Sequence, residues 1–219
     1  MRVIGTPTLA LVEYMSDVPA GNYSELSQAI NSMFRCDAAE PLAKSRWFTR
    51  GLTLQGLLAP SEVNFYAADW SFIGSKVSLG DEISSIAVIH PEYLNFGAPS
   101  QFYPWLPLRD ASVAVRMSWL GRRTTSKIKD MAYYMLGIFD ANMPLIYGEG
   151  PKAFQRLQHE IIKFSDDHSI FCWNSSLGNP DGSIVALDPV AFLDASGLRR
   201  SAERTRPSPF GLTNAGLSI

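Results

Sequence analysis

Cysteine is scarce in this chain. Its 219 residues hold two, Cys36 and Cys172, far apart along the sequence. No C-x-x-C pair and no Cys/His cluster occurs, which excludes the usual zinc spacings and any disulfide framework beyond a single bridge. Histidine is nearly as rare, and neither His90 nor His159 has a spacing that suggests a metal ligand. Long apolar runs are missing as well. Residues 3–12 are modestly apolar but are broken by Gly5 and Pro7, so they lack the clean run of a secretory signal. No stretch approaches the roughly 18 apolar residues of a membrane span. An excess of one charge is also absent: 19 basic against 21 acidic residues give a formal charge of −2. Nothing global therefore draws the chain to nucleic acid or to anionic membranes. Arg122-Arg123 and Arg199-Arg200 read as solvated faces or ion-pair partners. The expectation is a cytoplasmic protein without a membrane span, without nucleic acid and without a metal or other cofactor.

Catalytic signatures are lacking too. There is no P-loop, no G-x-G-x-x-G and no G-x-S-x-G elbow. No internal repeat is visible, which excludes a solenoid or propeller. What is present is apolar material: 46% hydrophobic against 18% charged residues, enough for a substantial core in one large domain or two small ones.

Taken in order, residues 8–14 read as a strand, with Leu9, Leu11 and Val12 apolar. A helix follows over 22–35, with Asn22 as N-cap and Leu26, Ala29, Ile30, Met33 and Phe34 on one face. Residues 36–44, which include Pro41, read as a polar connector. Residues 53–59 suit a short helix stopped by Pro60, and weakened by Gly56 by about 1 kcal/mol relative to alanine. Residues 63–66 and 71–76 predict a β-hairpin around Asp69-Trp70. The spacing of Leu79, Ile83 and Ile86 predicts a helix over 79–89, although the run Ile86 to Ile89 alone equally fits a strand. Residues 90–110, rich in proline and aromatics, read as a long loop, with Phe102 to Trp105 packing within it. Three helical patterns follow. The first covers 111–120, with Val113, Met117 and Leu120 on one face. The second is capped by Thr125 and carries the stripe Ile128, Met131, Ala132, Met135 and Leu136. The third begins at Pro151, with Phe154, Leu157, Ile161 and Phe164 on its buried side. Residues 169–173 read as a strand. Beyond Asn174 the composition turns to Gly, Ser, Asn, Asp and Pro, with short elements near 191–194 and irregular chain over 199–210.

Two spots merit chemical scrutiny. Gly148-Glu149-Gly150 leads into a helix N-terminus, an end that attracts anions, so Gly148 and Gly150 form a possible anion site; the simpler reading is a tight glycine turn with Glu149 favoured by the helix dipole. Asp166-Asp167-His168 sets carboxylates beside an imidazole, but adjacent residues point apart, and a polar turn ending a helix is the better reading. Glu62 and Asp69 flank the expected hairpin without defining a carboxylate pair.

Three blocks resemble a known family. They are S-E-L-S-Q-A-I-N-S-M-F-R at 24–35, S-R-W-F-T-R-G-L-T-L-Q-G-L-L-A-P at 45–60 continuing through V-N-F-Y at 63–66, and the stretch from Ser112 to Trp173. Together they resemble the fungal heterokaryon-incompatibility (HET) domain of vegetative incompatibility proteins and the helical extension that follows it. The segment 209–217 resembles the start of the next part. The resemblance implies a module of nonself recognition and programmed cell death that works through protein partners and is non-enzymatic. The alternatives are a TIR-like NAD-cleaving enzyme and a non-functional gene remnant. It implies an α+β, mainly helical fold: the remnant of an α/β, TIR-like domain over 1–98, N-terminally truncated, then a helical extension over 99–219 that is irregular after about 174. The family's opening strand blocks are absent, and its R-G-W-T-L-Q-E reads R-G-L-T-L-Q-G here, with Leu52 for an aromatic and Gly56 for an acid. The motif residues carried over are Arg46, Trp47, Arg50, Thr53 and Gln55, with Trp47 as an anchor and Arg50 and Gln55 fixing polar contacts. The parallel sheet is expected to be incomplete, with unpaired edges.

Overall fold

A computed structural model describes residues 10–23, 39–94, 108, 110–125, 128–146, 148–177, 182–199, 211–213 and 216–218. Residues 24–35 of the helix expected over 22–35 and the aromatic cluster at 102–105 lie outside these residues, as does most of 199–210. The architecture is α+β and mainly helical. The chain divides into two compact units, residues 1–107 and 108–219.

The first unit is built on a three-stranded sheet. Strand β1 (Ala10–Tyr14) pairs in parallel with β2 (Glu62–Tyr66), which pairs antiparallel with β3 (Phe72–Ser75). The register sets Leu11 beside Val63 and Glu13 beside Phe65 on one face, and Val12 beside Asn64 and Tyr14 beside Tyr66 on the other. Strand side chains alternate between faces, so the inner face holds the buried set, Val63, Phe65 and Ile73. A bulge between Phe65 and Tyr66 absorbs one extra residue of β3. Opposite Phe65 stands Gly74, where a Cβ would come 2.7 Å from Leu79 Cγ; only glycine lets that leucine lie so close to the strand. Between β1 and β2 run α1 (Ala39–Ala43) and α2 (Thr53–Leu58), and after β3 come α3 (Gly80–Ala87) and α4 (Pro91–Leu94). Helix α3 ends at Val88 in the left-handed conformation, φ +54°, a stop usually made by glycine.

Two expectations for this unit need correction. The connector at 36–44 contains a helix, α1. Pro41 sits in its first turn, where its missing N–H would have had no partner within the helix. The loop over 90–110 opens with a helix, α4, which starts at Pro91 for the same reason.

The second unit is organised around α5 (Val113–Gly121). Its expected single apolar face is too narrow a description: Val113, Ala114, Val115, Met117, Ser118, Trp119 and Leu120 are all buried. The helix packs on a 3₁₀ helix, Pro189–Gly197. Gly121 permits that contact, since a Cβ there would lie 2.8 Å from Leu193 Cδ2 and 3.0 Å from the Pro189 carbonyl. Helices α6 (Ile128–Phe139) and α7 (Lys152–Phe164) pack together, burying Ala132, Met135 and Phe139 of one and Phe154, Leu157 and Ile161 of the other. Phe164 is not buried as expected but 59% exposed, because it is the last residue of α7 and the buried stripe stops at Ile161 and Ile162. The strand expected at 169–173 is a 3₁₀ helix, His168–Phe171. Local bonds from the Asp167 side chain and carbonyl outcompete the β preference of Ile and Phe. Near the end of the chain β4 (Gly211–Thr213) and β5 (Gly216–Ser218) form a short hairpin.

Candidate functional site

The R-W-F-T-R-G-L-T-L-Q block folds into a knot of turns leading into α2. Phe48, Thr49 and Arg50 donate their N–H groups to the carbonyls of Ser45, Arg46 and Trp47 in succession, and Leu54 donates to Gly51. The Thr53 hydroxyl lies 2.5 Å from the Trp47 carbonyl and 2.8 Å from that of Arg50, so it closes the loop. Trp47 is the anchor: 8% exposed, it meets Phe48 and Phe65 edge-on at ring-centroid distances of 5.0 and 5.3 Å. Its indole N–H donates to Glu13 Oε2 at 2.9 Å, tying the knot to β1.

Asp17 makes the second tie. It accepts the Ser45 hydroxyl at 2.8 Å and the Arg46 N–H at 2.7 Å, and Arg46 Nε stands 3.5 Å away. Desolvation works to raise the Asp17 pKa, but the Arg46 N–H and the Ser45 hydroxyl outweigh it and hold the carboxyl below its ordinary value. Beyond α2, Lys76 is 1% exposed and donates to the carbonyls of Leu57 and Pro60, at 3.1 and 2.5 Å, so an ammonium caps the negative end of the helix. Desolvation lowers its pKa to about 8.

The structure therefore brings Arg46, Trp47, Arg50 and Thr53 into one knot. Arg46 joins it through its N–H and through the pairing of Nε with Asp17, and the Arg50 carbonyl accepts the Thr53 hydroxyl; both side chains are exposed. Gln55 is half-buried in α2, and its carbonyl accepts the Ala59 N–H. Gly56 faces β1: a Cβ there would meet Glu13 Oε1 at 3.3 Å and Leu11 Cδ2 at 3.5 Å. Sequence reasoning missed Glu13, Asp17 and Lys76. For Glu13 the signal was an acid inside an otherwise apolar strand. In chemical terms this arrangement spends its carboxylates and its ammonium on indole and hydroxyl donors and on backbone groups, as struts.

In the second unit Gly148 and Gly150 carry φ of +84° and +60°. Between them the Glu149 carboxylate is gripped by Arg156, with Nε–Oε1 at 2.6 Å and Nη2–Oε2 at 2.7 Å, and Arg156 also donates to the Pro144 carbonyl. An anion at this turn would meet that carboxylate as well as the helix end. Asp167 is a polar turn residue that braces the structure by accepting the Val113 N–H at 2.8 Å and the Ser169 N–H at 3.0 Å. Ser169 and Ser112 take the N–H groups of Ala114 and Val115, so three donors of the first turn of α5 are satisfied by side chains. Among the described residues no group of His, Cys, Asp and Glu could hold a metal, and no helix is long and apolar enough to cross a membrane.

No family model and no solved structure matches the chain. It is 38% identical over 172 residues to the vegetative incompatibility protein HET-E-1 of Podospora anserina. The matched stretch covers 67% of this chain but 12% of that relative.

Proposed function

We propose that this HET-related chain is a signalling module of vegetative incompatibility: nonself recognition engages it, and it passes on a programmed cell death signal through protein partners, without catalysis of its own. The observation that carries the reading is the 38% identity to a protein named for vegetative incompatibility. The knot at Trp47 supports it, because the motif residues carried over from the HET resemblance act there as a scaffold. On this reading residues 1–98 belong to a TIR-like α/β domain and residues 99–219 to the helical extension.

Expression in a filamentous fungus, scored for cell death, tests the proposal. Death with the native chain and its loss with Trp47→Ala would support it. Survival with the native chain would favour the gene-remnant reading. Turnover of NAD by the purified chain would overturn the non-enzymatic part.

A further inference from the structure

The knot uses only the inner face of the sheet. On the outer face, Val12, Tyr14, Trp70 and Phe72 are 55%, 41%, 61% and 53% exposed. The rings of Tyr14, Trp70, Tyr66 and Phe72 form a row. Tyr14 and Trp70 stack at 4.7 Å, Tyr66 lies 6.1 Å from Trp70, and Phe72 lies 5.5 Å from Tyr66. The Tyr14 hydroxyl donates to the Ala68 carbonyl, which pins its ring to the hairpin. Trp70 holds φ +64°, in the left-handed region, at a cost of about 1–2 kcal/mol for a residue with a Cβ. A turn alone would be served by glycine or asparagine; here the strained position displays an indole over Tyr14. Contiguous exposed apolar surface of this kind marks interaction sites.

Among the described residues, the charged groups on the outer face of the strands and at the hairpin turn are Glu62 and Asp69. Glu62, exposed at the start of β2, shares the outer face with Asn64 and Tyr66 and accepts from Asn64 Nδ2 at 3.3 Å. Asp69, next to Trp70, accepts the Ser71 hydroxyl at 2.6 Å and its N–H at 3.0 Å, and these bonds hold its carboxyl below the ordinary value. Among the described residues the outward positions of β1, β2 and β3 carry no lysine or arginine, and Lys76, just after β3, is buried. An aromatic row flanked by carboxylates attracts cations, through ring faces and through charge-assisted hydrogen bonds, and repels phosphates. A guanidinium suits it better than an ammonium, because its plane can stack on a ring while its edge meets a carboxylate.

We propose that the outer face of the β1–β3 sheet docks an extended, arginine-bearing protein segment, with a guanidinium over Trp70 and Tyr14 and paired with Asp69. This goes beyond the signalling role: it is a direct binding claim, and its failure would leave the cell-death reading untouched. The full 219-residue chain is titrated against a fluorescently labelled peptide of alternating arginine and threonine, against the same peptide with glutamate for arginine, and against a single-stranded oligonucleotide. The arginine peptide is expected to bind and to weaken with salt. Trp70→Gly, which keeps the left-handed turn, is expected to weaken it by about tenfold. Asp69→Asn is expected to weaken it several-fold, and Glu40→Gln on α1 to leave it unchanged. Circular dichroism checks that each variant folds; if Trp70→Gly does not, Phe72→Thr is read in its place. Three results would overturn the proposal: no binding of the arginine peptide, equal binding of the glutamate peptide or the oligonucleotide, or indifference to both aromatic variants. Sedimentation showing that the native chain self-associates and that Trp70→Gly does not would overturn it too, since the face would then be covered by a second copy.

Discussion

Strand β2 and helix α5 are the central pieces of their units, and they are buried in opposite ways. In β2 the burial alternates: Val63 and Phe65 are sealed, while Asn64 and Tyr66 stand half open. In α5 seven of nine residues are buried, on every side of the helix. An element with one wet face needs something to say which face is which. An element buried all round needs something to satisfy its ends. The two units meet these needs with the same tool, a carboxylate from a distant segment. Glu13 and Asp17 receive donors from the motif knot in the first unit, and Asp167 receives the first N–H of α5 in the second.

The sharpest test of this contrast is truncation at the centre of α5. Trp119→Ala is expected to destabilise the protein by about 3–5 kcal/mol in chemical denaturation, since the indole is buried among side chains on all sides. On the outer face of the sheet, Phe72→Ala should cost far less, because its ring is already half in water. Equal losses would break the comparison.

Next in size is the response to pH at Lys76. Its folded pKa is lowered to about 8 from 10.5, so between those values the unfolded chain binds more protons. Stability should therefore rise as pH increases from 8 to 10.5, with a contribution of about 3 kcal/mol. Below pH 8 the full penalty of burying the charge is present. Lys76→Met should remove this slope, read as the difference between two denaturation series across that window.

Smaller again is the cap on α5. Asp167→Ala leaves the Val113 N–H buried without its carboxylate and should cost about 1–3 kcal/mol, with Asp167→Asn in between. Effects of similar or smaller size separate two helical glycines. Gly121→Ala drives a Cβ into Leu193 and the Pro189 backbone and should destabilise by about 1–3 kcal/mol. Gly56→Ala presses at 3.3 Å on the Glu13 carboxylate that Trp47 holds and makes ordinary contact with Leu11; a shift of a few tenths of an ångström relieves it, so helix propensity should win, with a gain of up to about 1 kcal/mol. Thermal melts of the two variants should shift in opposite directions.

The elements most legible in the sequence were those whose pattern repeats. Helices α3, α5, α6 and α7 and the β2–β3 hairpin follow from periodicity and from Asp69-Trp70 between two β-rich runs. Helix α1 was hidden because Pro41 and polar neighbours look like a break when the position of proline within a first turn is unknown. The 3₁₀ helix at His168–Phe171 was hidden because its β-prone residues are overruled by one side chain, Asp167. The candidate site divides in the same way. Trp47 and Thr53 could be named from the motif, but their partners could not: Glu13 stands 34 positions from Trp47, and Asp17 stands 28 from Ser45. Spacing says nothing about contacts made across a parallel crossover.

Strand β1 has apolar residues on both faces, Leu11 inward and Val12 and Tyr14 outward. A slip of one residue would exchange the faces and cost little in apolar burial, so hydrophobicity alone leaves its pairing loosely specified. Glu13 removes that freedom. In the slipped strand its carboxylate would turn to the far face, and the indole N–H of Trp47 would be stranded in the interior. The Trp47–Glu13 hydrogen bond thus proofreads how β1 is threaded against β2, and the R-W-F-T-R-G-L-T-L-Q block works as an alignment mark for a strand that cannot align itself.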